Sequence, residues 1–198
     1  MTPCCHPILL FVIFGGSEGL QFVVTNKRLL FILSDYTDSH DTVLSSNYLL
    51  LSYLVVPIWQ QKIQKSEDPV VWDYHVIFLW KNGLNTYVYD LDSCLPFSCK
   101  FEIYLKEAIK QDSLFQPEYY RYFRVVEAAT YLRYFASNRK HMLDESGMWK
   151  SKPPPYPCIR TEETDDNIQE FINVDVSVGY GQVLNLKDFT KTFSQRLK

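Results

Sequence analysis

VVWDYHVIFLWKNGLNTYVYDLDSCLPF, residues 70–97, is the stretch from which the fold can be read. Two runs rich in Val, Ile, Tyr, Phe and Trp flank Lys81, Asn82 and Gly83, which is turn chemistry, so the stretch reads as a β-hairpin. In the first strand the even positions Trp72, Tyr74, Val76, Phe78 and Trp80 are all apolar or aromatic. The odd positions Val71, Asp73, His75, Ile77 and Leu79 are more mixed. In the second strand Tyr87, Tyr89 and Leu91 share one face, and Thr86, Val88, Asp90 and Asp92 share the other. The two apolar faces bury together only if the loop between them is even. A four-residue loop, 81–84, sets Val76 against Tyr89, Phe78 against Tyr87, and His75 against Asp90 on the more polar face.

That last pairing carries the chemistry. Directly opposed residues hold their Cβ atoms ~5 Å apart, so a carboxylate there can grip one imidazole nitrogen. The plainer reading is a cross-strand pair with only a structural role. The sharper one is an orienting carboxylate that fixes the tautomer of a catalytic histidine and raises the basicity of its other nitrogen.

Composition sets the bounds. The chain has 198 residues, 46% hydrophobic and 22% charged, which describes a globular protein with room for one proper core. Aromatics make up 16%, with 14 Tyr and 13 Phe, so the core is expected to be aromatic-rich. A net charge of −3 without a basic tract disfavours nucleic acid or an anionic membrane as partner. Five irregularly spaced cysteines, Cys4, Cys5, Cys94, Cys99 and Cys158, include no CxxC motif, which argues against zinc and against a disulfide framework. A reducing compartment fits that usage.

Ahead of the hairpin, residues 8–14 form an apolar run ending at Gly15 and Gly16, read as a core strand rather than a signal segment because no Lys or Arg precedes it. Residues 20–24 and 29–33 read as two further strands, and 35–41 as a polar loop. Residues 42–61 carry no charge over a length that could span a bilayer, but Ser45, Ser46, Asn47, Ser52 and Pro57 favour a buried strand or helix. Beyond the hairpin, Phe101, Tyr104, Leu105, Ala108 and Ile109 recur at helical spacing, so 99–111 is an amphipathic helix with a core stripe. Residues 122–126 read as a strand, 128–135 as a helix, and His141 as a solvated loop histidine. Pro153, Pro154 and Pro155 make a stiff surface crossover. Ile168, Phe171 and Ile172 mark a short helix, and Gly179 with Gly181 a turn. Asn185 is an N-cap for a terminal helix with Leu186, Phe189 and Phe193 on one face. Cys94, Cys99 and Cys158 read as buried small hydrophobes, with Cys94 a minor candidate nucleophile.

Several ordered motifs together resemble the protein N-terminal glutamine amidohydrolase family. They are Val71-Trp72-Asp73-Tyr74-His75, then Tyr89-Asp90-Leu91-Asp92 followed by Leu95-Pro96-Phe97, then Phe135-Ala136-Ser137 with Arg139 and His141-Met142. Pro153-Pro154-Pro155-Tyr156-Pro157-Cys158-Ile159, Pro57-Ile58-Trp59 and Val178-Gly179-Tyr180-Gly181 fit as well. The resemblance covers residues 56–198, roughly three quarters of the chain. It implies an α/β (α+β) fold, one domain whose central, largely antiparallel sheet is flanked by helices, arranged as in papain and transglutaminases. It implies a monomer of the cytoplasm and nucleus that needs no cofactor or metal. Through a Cys–His–Asp triad it would convert N-terminal glutamine of proteins or peptides to glutamate with release of ammonia. The product would enter the N-degron pathway through arginylation.

His75 and Asp90 fall on the family's catalytic His and Asp. A free α-amino group must also be recognised, for which Asp73 and Asp92 are the candidates. The family's nucleophile stands in an N-terminal Cys-Glu-Glu-Asn motif that this chain lacks. The family's spacing ahead of His75 falls near Phe22, where there is no thiol. Residues 1–55 are thus a divergent segment ahead of a 56–198 catalytic domain within one domain overall. Cys5 is the candidate nucleophile and Cys4 its alternative. The other readings are a pseudoenzyme that binds protein N-termini without turning them over, or a replaced first segment. The unfamiliar character of residues 8–56 favours the replaced segment.

Overall fold

The computed structural model describes residues 8–16, 56–64, 66–115, 120–153 and 155–194, with the backbone alone for 8–16. The expectations for Cys4, Cys5, residues 20–24, 29–33, 35–41 and 42–55, and Pro154 lie outside these. The predicted core strand is present as β1 (Ile8–Gly16). The hairpin is β4 (His75–Asn82) and β5 (Asn85–Tyr89). β6 (Cys99–Lys100) follows, then β7 (Arg121–Glu127) and β8 (Gln182–Asn185). These strands form one six-stranded sheet in the order β6-β5-β4-β1-β7-β8. Its outer pairs, β6–β5, β5–β4 and β7–β8, are antiparallel, as expected. Its centre is parallel, because β1 runs alongside both β4 and β7 in the same direction.

The hairpin register differs from the expectation. Phe78 faces Tyr89, Trp80 faces Tyr87 and Asn82 faces Asn85, so the loop has two residues, Gly83 and Leu84, rather than four. Gly83 has φ +58°, the positive value that a two-residue hairpin loop requires at its first position. The first strand is also broken. Val70–Trp72, β3, pairs instead with β2 (Val56–Ile58) in a separate two-stranded ladder. At the bend, the Asp73 carboxylate accepts a hydrogen bond from the Tyr74 amide at 2.8 Å.

This break corrects the face assignment. Trp72 packs with Ile77 and Leu79, not with Val76 and Phe78 as strict alternation implies. Both faces of the sheet are covered by apolar cores, and the one that carries His75, Thr86 and Asp90 is buried rather than left to solvent. Ile77, Leu79, Val88, Phe123 and Val125 pack on one side against α1 (Phe101–Tyr104), its π-helical continuation Leu105–Ile109, and α4 (Leu186–Phe193). Val76, Phe78 and Val126 pack on the other against α2 (Ala128–Tyr134) and α3 (Ile168–Ile172). Both cores are aromatic-rich. Phe123 stacks on Phe189 at 4.0 Å, and Tyr131 on Phe135 at 4.6 Å.

The helical stripe read from the sequence is the one that packs. Phe101, Tyr104, Ala108 and Ile109 are buried, and Leu105 rests on the same core. Asn185 caps α4, its side-chain oxygen accepting from the Asp188 amide at 2.8 Å. Gly179 and Gly181 turn with φ +76°, and a Cβ on Gly181 would stand 2.1 Å from the Val125 carbonyl oxygen. Among the described residues no helix is long and apolar enough to cross a membrane.

Candidate active site

The sheet brings His75 and Asp90 together at its β4–β5 end. Nε2 of His75 lies 3.1 Å from Oδ1 of Asp90, and both side chains are almost completely buried. They meet by a different geometry from the one expected. The ladder ends at Phe78 and Tyr89, so Asp90 stands one residue past it and reaches His75 on the diagonal rather than straight across. A two-residue slide leaves every side chain on its face, whereas a one-residue slide would have separated the pair. The contact is an ion pair whose N–H direction lies off the line of a good hydrogen bond.

The remaining lone pairs of Asp90 are occupied. Oδ2 accepts from the Tyr104 hydroxyl at 2.7 Å and from Nε2 of Gln61 at 3.2 Å. Oδ1 accepts from the Asp92 amide at 2.9 Å. Burial would push the Asp90 carboxyl up. The facing His75 charge and its close contact, with the bonds from Tyr104 and the Asp92 amide, outweigh it and hold the carboxyl at about 2. Burial would likewise lower His75, but the charge and contact of Asp90, with the Asp92 charge behind them, raise it above its usual value. The Tyr104 hydroxyl is driven well up by burial and by the Asp90 charge, so it stays protonated and donates. The arrangement therefore favours the protonated imidazole, whose Nε2 faces a carboxylate. Its other nitrogen, Nδ1, is left for a reaction partner.

Asp92 joins the cluster, offering a ligand atom within 4.8 Å of those of His75 and Asp90. Asp73, the other candidate for the substrate's amine, is exposed and uses an oxygen to cap the bend at Tyr74. Trp72 lies against the imidazole, ring centroids 5.0 Å apart. His141 is half-buried rather than solvated, because Lys140–Met142 forms a short 3-10 turn over Tyr74. Its Nε2 is hydrogen-bonded to the Tyr74 hydroxyl at 3.4 Å.

The described cysteines carry free thiols and none bonds to His75. Cys99 is buried, as expected, and burial pushes its thiol up, the wrong direction for a nucleophile. Cys94 is exposed, contrary to its reading as a buried hydrophobe. Its amide is tied to the Gln60 carbonyl at 2.7 Å in the loop past β5. Sequence reasoning missed Tyr104 and Gln61. The helical spacing places Tyr104 only in the core stripe, although a hydroxyl at the tip of a buried stripe demands a partner. Nothing in the local pattern marked Gln61.

The fold and site define a mixed α/β protein built around a buried, polarised histidine–carboxylate pair. The model of the N-terminal glutamine amidase family matches residues 37–193, so it also takes in residues 37–55 ahead of the motifs read from the sequence. The protein N-terminal glutamine amidohydrolase of Homo sapiens is 45% identical over 143 residues, 72% of this chain and 70% of the human protein. That of Danio rerio is 46% identical over 139 residues, 70% of this chain and 69% of its own length. The Drosophila melanogaster protein of the same name is 41% identical over 140 residues, 70% and 68% of the two lengths. The chain belongs to the N-terminal glutamine amidase family.

Proposed function

We propose that this chain is a thiol amidohydrolase that converts N-terminal glutamine of proteins or peptides to glutamate with release of ammonia. The observation that carries the reading is the buried His75–Asp90 pair, 3.1 Å apart, in a chain of this family. In the mechanism a cysteine thiolate, held beside protonated His75, attacks the side-chain amide carbon of the glutamine. Charge gathers on the amide oxygen, where hydrogen-bond donors must meet it. His75 gives its proton to the departing nitrogen, and ammonia leaves a thioester. His75 then takes a proton from water, the hydroxide adds to the thioester carbon, and the thiolate departs with glutamate released. Asp90 orients the imidazole throughout. Asp92 is the better placed of the two carboxylates to meet the substrate's α-ammonium group, since Asp73 is exposed and turned to its own bend.

Cys5 is the proposed nucleophile, with Cys4 as its alternative. The register of β1 supports the assignment. Leu10 pairs with His75, and Cys5 precedes Leu10 by five residues, at most ~18 Å of extended chain. The thiol is therefore no more than that length of chain from the strand position beside His75. The enzyme would work as a monomer in the cytoplasm and nucleus, and its product would enter the N-degron pathway through arginylation.

The test is ammonia release from three peptides: one beginning with glutamine, one beginning with asparagine, and one with glutamine only inside. Release from the first alone is the expected result, abolished by Cys5→Ala. If Cys4→Ala abolishes it instead, the nucleophile is Cys4. A second reading, binding of protein N-termini without turnover, is favoured by the absence of the family's Cys-Glu-Glu-Asn motif. Saturable binding of the first peptide by a folded chain that releases no ammonia would establish that reading and overturn the first.

A further inference from the structure

We propose that Tyr104, assisted by Gln61, is a positioning residue for the acid–base pair: its hydroxyl pins Oδ2 of Asp90, so that Oδ1 is the oxygen presented to Nε2 of His75. The kinetic part of this proposal rests on the hydrolase reading. The geometric part does not.

A carboxylate turns about its last bond in a broad, two-fold potential, so an aspartate beside a histidine has no fixed direction of its own. Here the direction is imposed. The Tyr104 hydroxyl, on a side chain only 1% exposed, donates to Oδ2 at 2.7 Å, the length of a charge-assisted bond. Gln61, also 1% exposed, donates to the same oxygen at 3.2 Å. Its own Oε1 is buried without a hydrogen-bond partner among the described residues. An amide that leaves its acceptor end unmet in order to keep its donor end on Asp90 is held there by its surroundings.

Those surroundings are backbone bonds that join the three segments involved. The Gln61 segment is fixed to the Asp90 segment, with the Lys62 amide on the Asp92 carbonyl at 2.6 Å and the Cys94 amide on the Gln60 carbonyl at 2.7 Å. It is fixed to the helix carrying Tyr104 by the Trp59 amide, which donates to the Ala108 carbonyl at 3.0 Å. The helix in turn follows β6, whose Cys99 pairs with Val88 of β5, two residues before Asp90. The donors and the acceptor thus belong to one stapled frame around the carboxylate, which a tyrosine merely filling a core hole would not need.

The test uses Tyr104→Phe in the full chain, which keeps the ring and removes only the hydroxyl. The first readout is the titration of the His75 imidazole by NMR. If Tyr104 aims Oδ1, its loss uncouples the pair, burial of the imidazole is no longer offset, and His75 titrates at lower pH than in the unmutated chain. In an Asp90→Asn background the same substitution moves nothing. The second readout is turnover of the peptide beginning with glutamine. Tyr104→Phe lowers kcat about tenfold with little change in KM, and adds no further loss in the Asp90→Asn background. Gln61→Met removes the other donor, and the same lowering of the imidazole titration is expected of it should Tyr104→Phe fail to fold.

A His75 titration that is unchanged or raised in Tyr104→Phe overturns the proposal, since Oδ1 would then face the imidazole without help. So does a kcat loss that persists undiminished beside Asp90→Asn. A full chain that binds but never turns over removes the hydrolase reading, and the titration then decides the positioning role alone.

Discussion

Both oxygens of Asp90 are engaged, one by His75 and the Asp92 amide, the other by Tyr104 and Gln61. A carboxylate satisfied on all sides in this way stays ionised although it is only 5% exposed. Asp90→Asn keeps the shape and removes the charge, and its amide can meet Nε2 so as to hold the wrong imidazole tautomer. Turnover of a peptide beginning with glutamine is expected to fall on the order of 10³–10⁴-fold with KM close to that of the unmutated chain. Steady-state kinetics checks this, and near-normal turnover would remove Asp90 from the mechanism. The same pair shapes stability against pH. Asp90 is depressed from 3.8 to about 2, so its contribution, on the order of 2 kcal/mol, is full above pH 3.8 and is lost as pH falls towards 2. His75 is raised above 6.5, so its contribution is full below pH 6.5 and is lost as pH rises through the folded value. The two shifts describe one interaction and are not summed. Urea denaturation across pH should show the unmutated chain gaining most over Asp90→Asn between about pH 4 and 6.5.

Where an element could be read from the sequence, its own residues decided it. The stripe from Phe101 to Ile109, the cap at Asn185 and the strand 122–126 are local patterns, and all three pack as the patterns imply. The hairpin was legible as a hairpin, and His75 and Asp90 as neighbours, because face depends only on parity. Its register was not, because the loop length rests on one positive φ at Gly83 rather than on any periodicity. The break at Asp73, where the carboxylate accepts from the Tyr74 amide, is invisible to an alternation count. Buried arginines were also illegible. Arg121 is 1% exposed on β7, yet its guanidinium donates to the carbonyls of Ile109 and Lys110 at the end of the π-helical turn, and pairs with Asp112 at 2.8 Å. It serves as the terminator of the helix that carries Tyr104, meeting carbonyls that no helical amide can reach. Arg121→Met leaves those acceptors and Asp112 without their partner. A loss of ~3 kcal/mol or more is expected in urea denaturation, with Arg121→Lys recovering only part because an ammonium cannot fork between several acceptors. A loss under about 1 kcal/mol would mean that other groups already satisfy the helix end.

At the scale of the whole molecule, the active-site frame hangs on the middle of the sheet. β4, which begins with His75, and β7, which carries Arg121, do not touch as strands. β1 stands between them and is the neighbour of both. A hairpin alone is marginal in water, and sheets gain stability from three or more paired strands with covered faces. Both faces here are covered, one by α1 and α4 and the other by α2 and α3, and each helical layer spans the two halves that β1 joins. Removing β1 would leave the backbone amides and carbonyls along the inner edges of β4 and β7 buried and unpaired, which folded proteins rarely tolerate. The fragment 56–198 holds the histidine, the carboxylate, Gln61 and Tyr104, so on side chains alone it should keep the site. On topology it should not. We expect this fragment to show no cooperative thermal transition and no fixed aromatic signals by near-ultraviolet circular dichroism, whereas the full chain shows both. A fragment that unfolds cooperatively and titrates His75 as the full chain does would mean that β4 and β7 close upon each other without β1. The segment ahead of residue 56 would then serve the reaction, through Cys5 or Cys4, and not the fold.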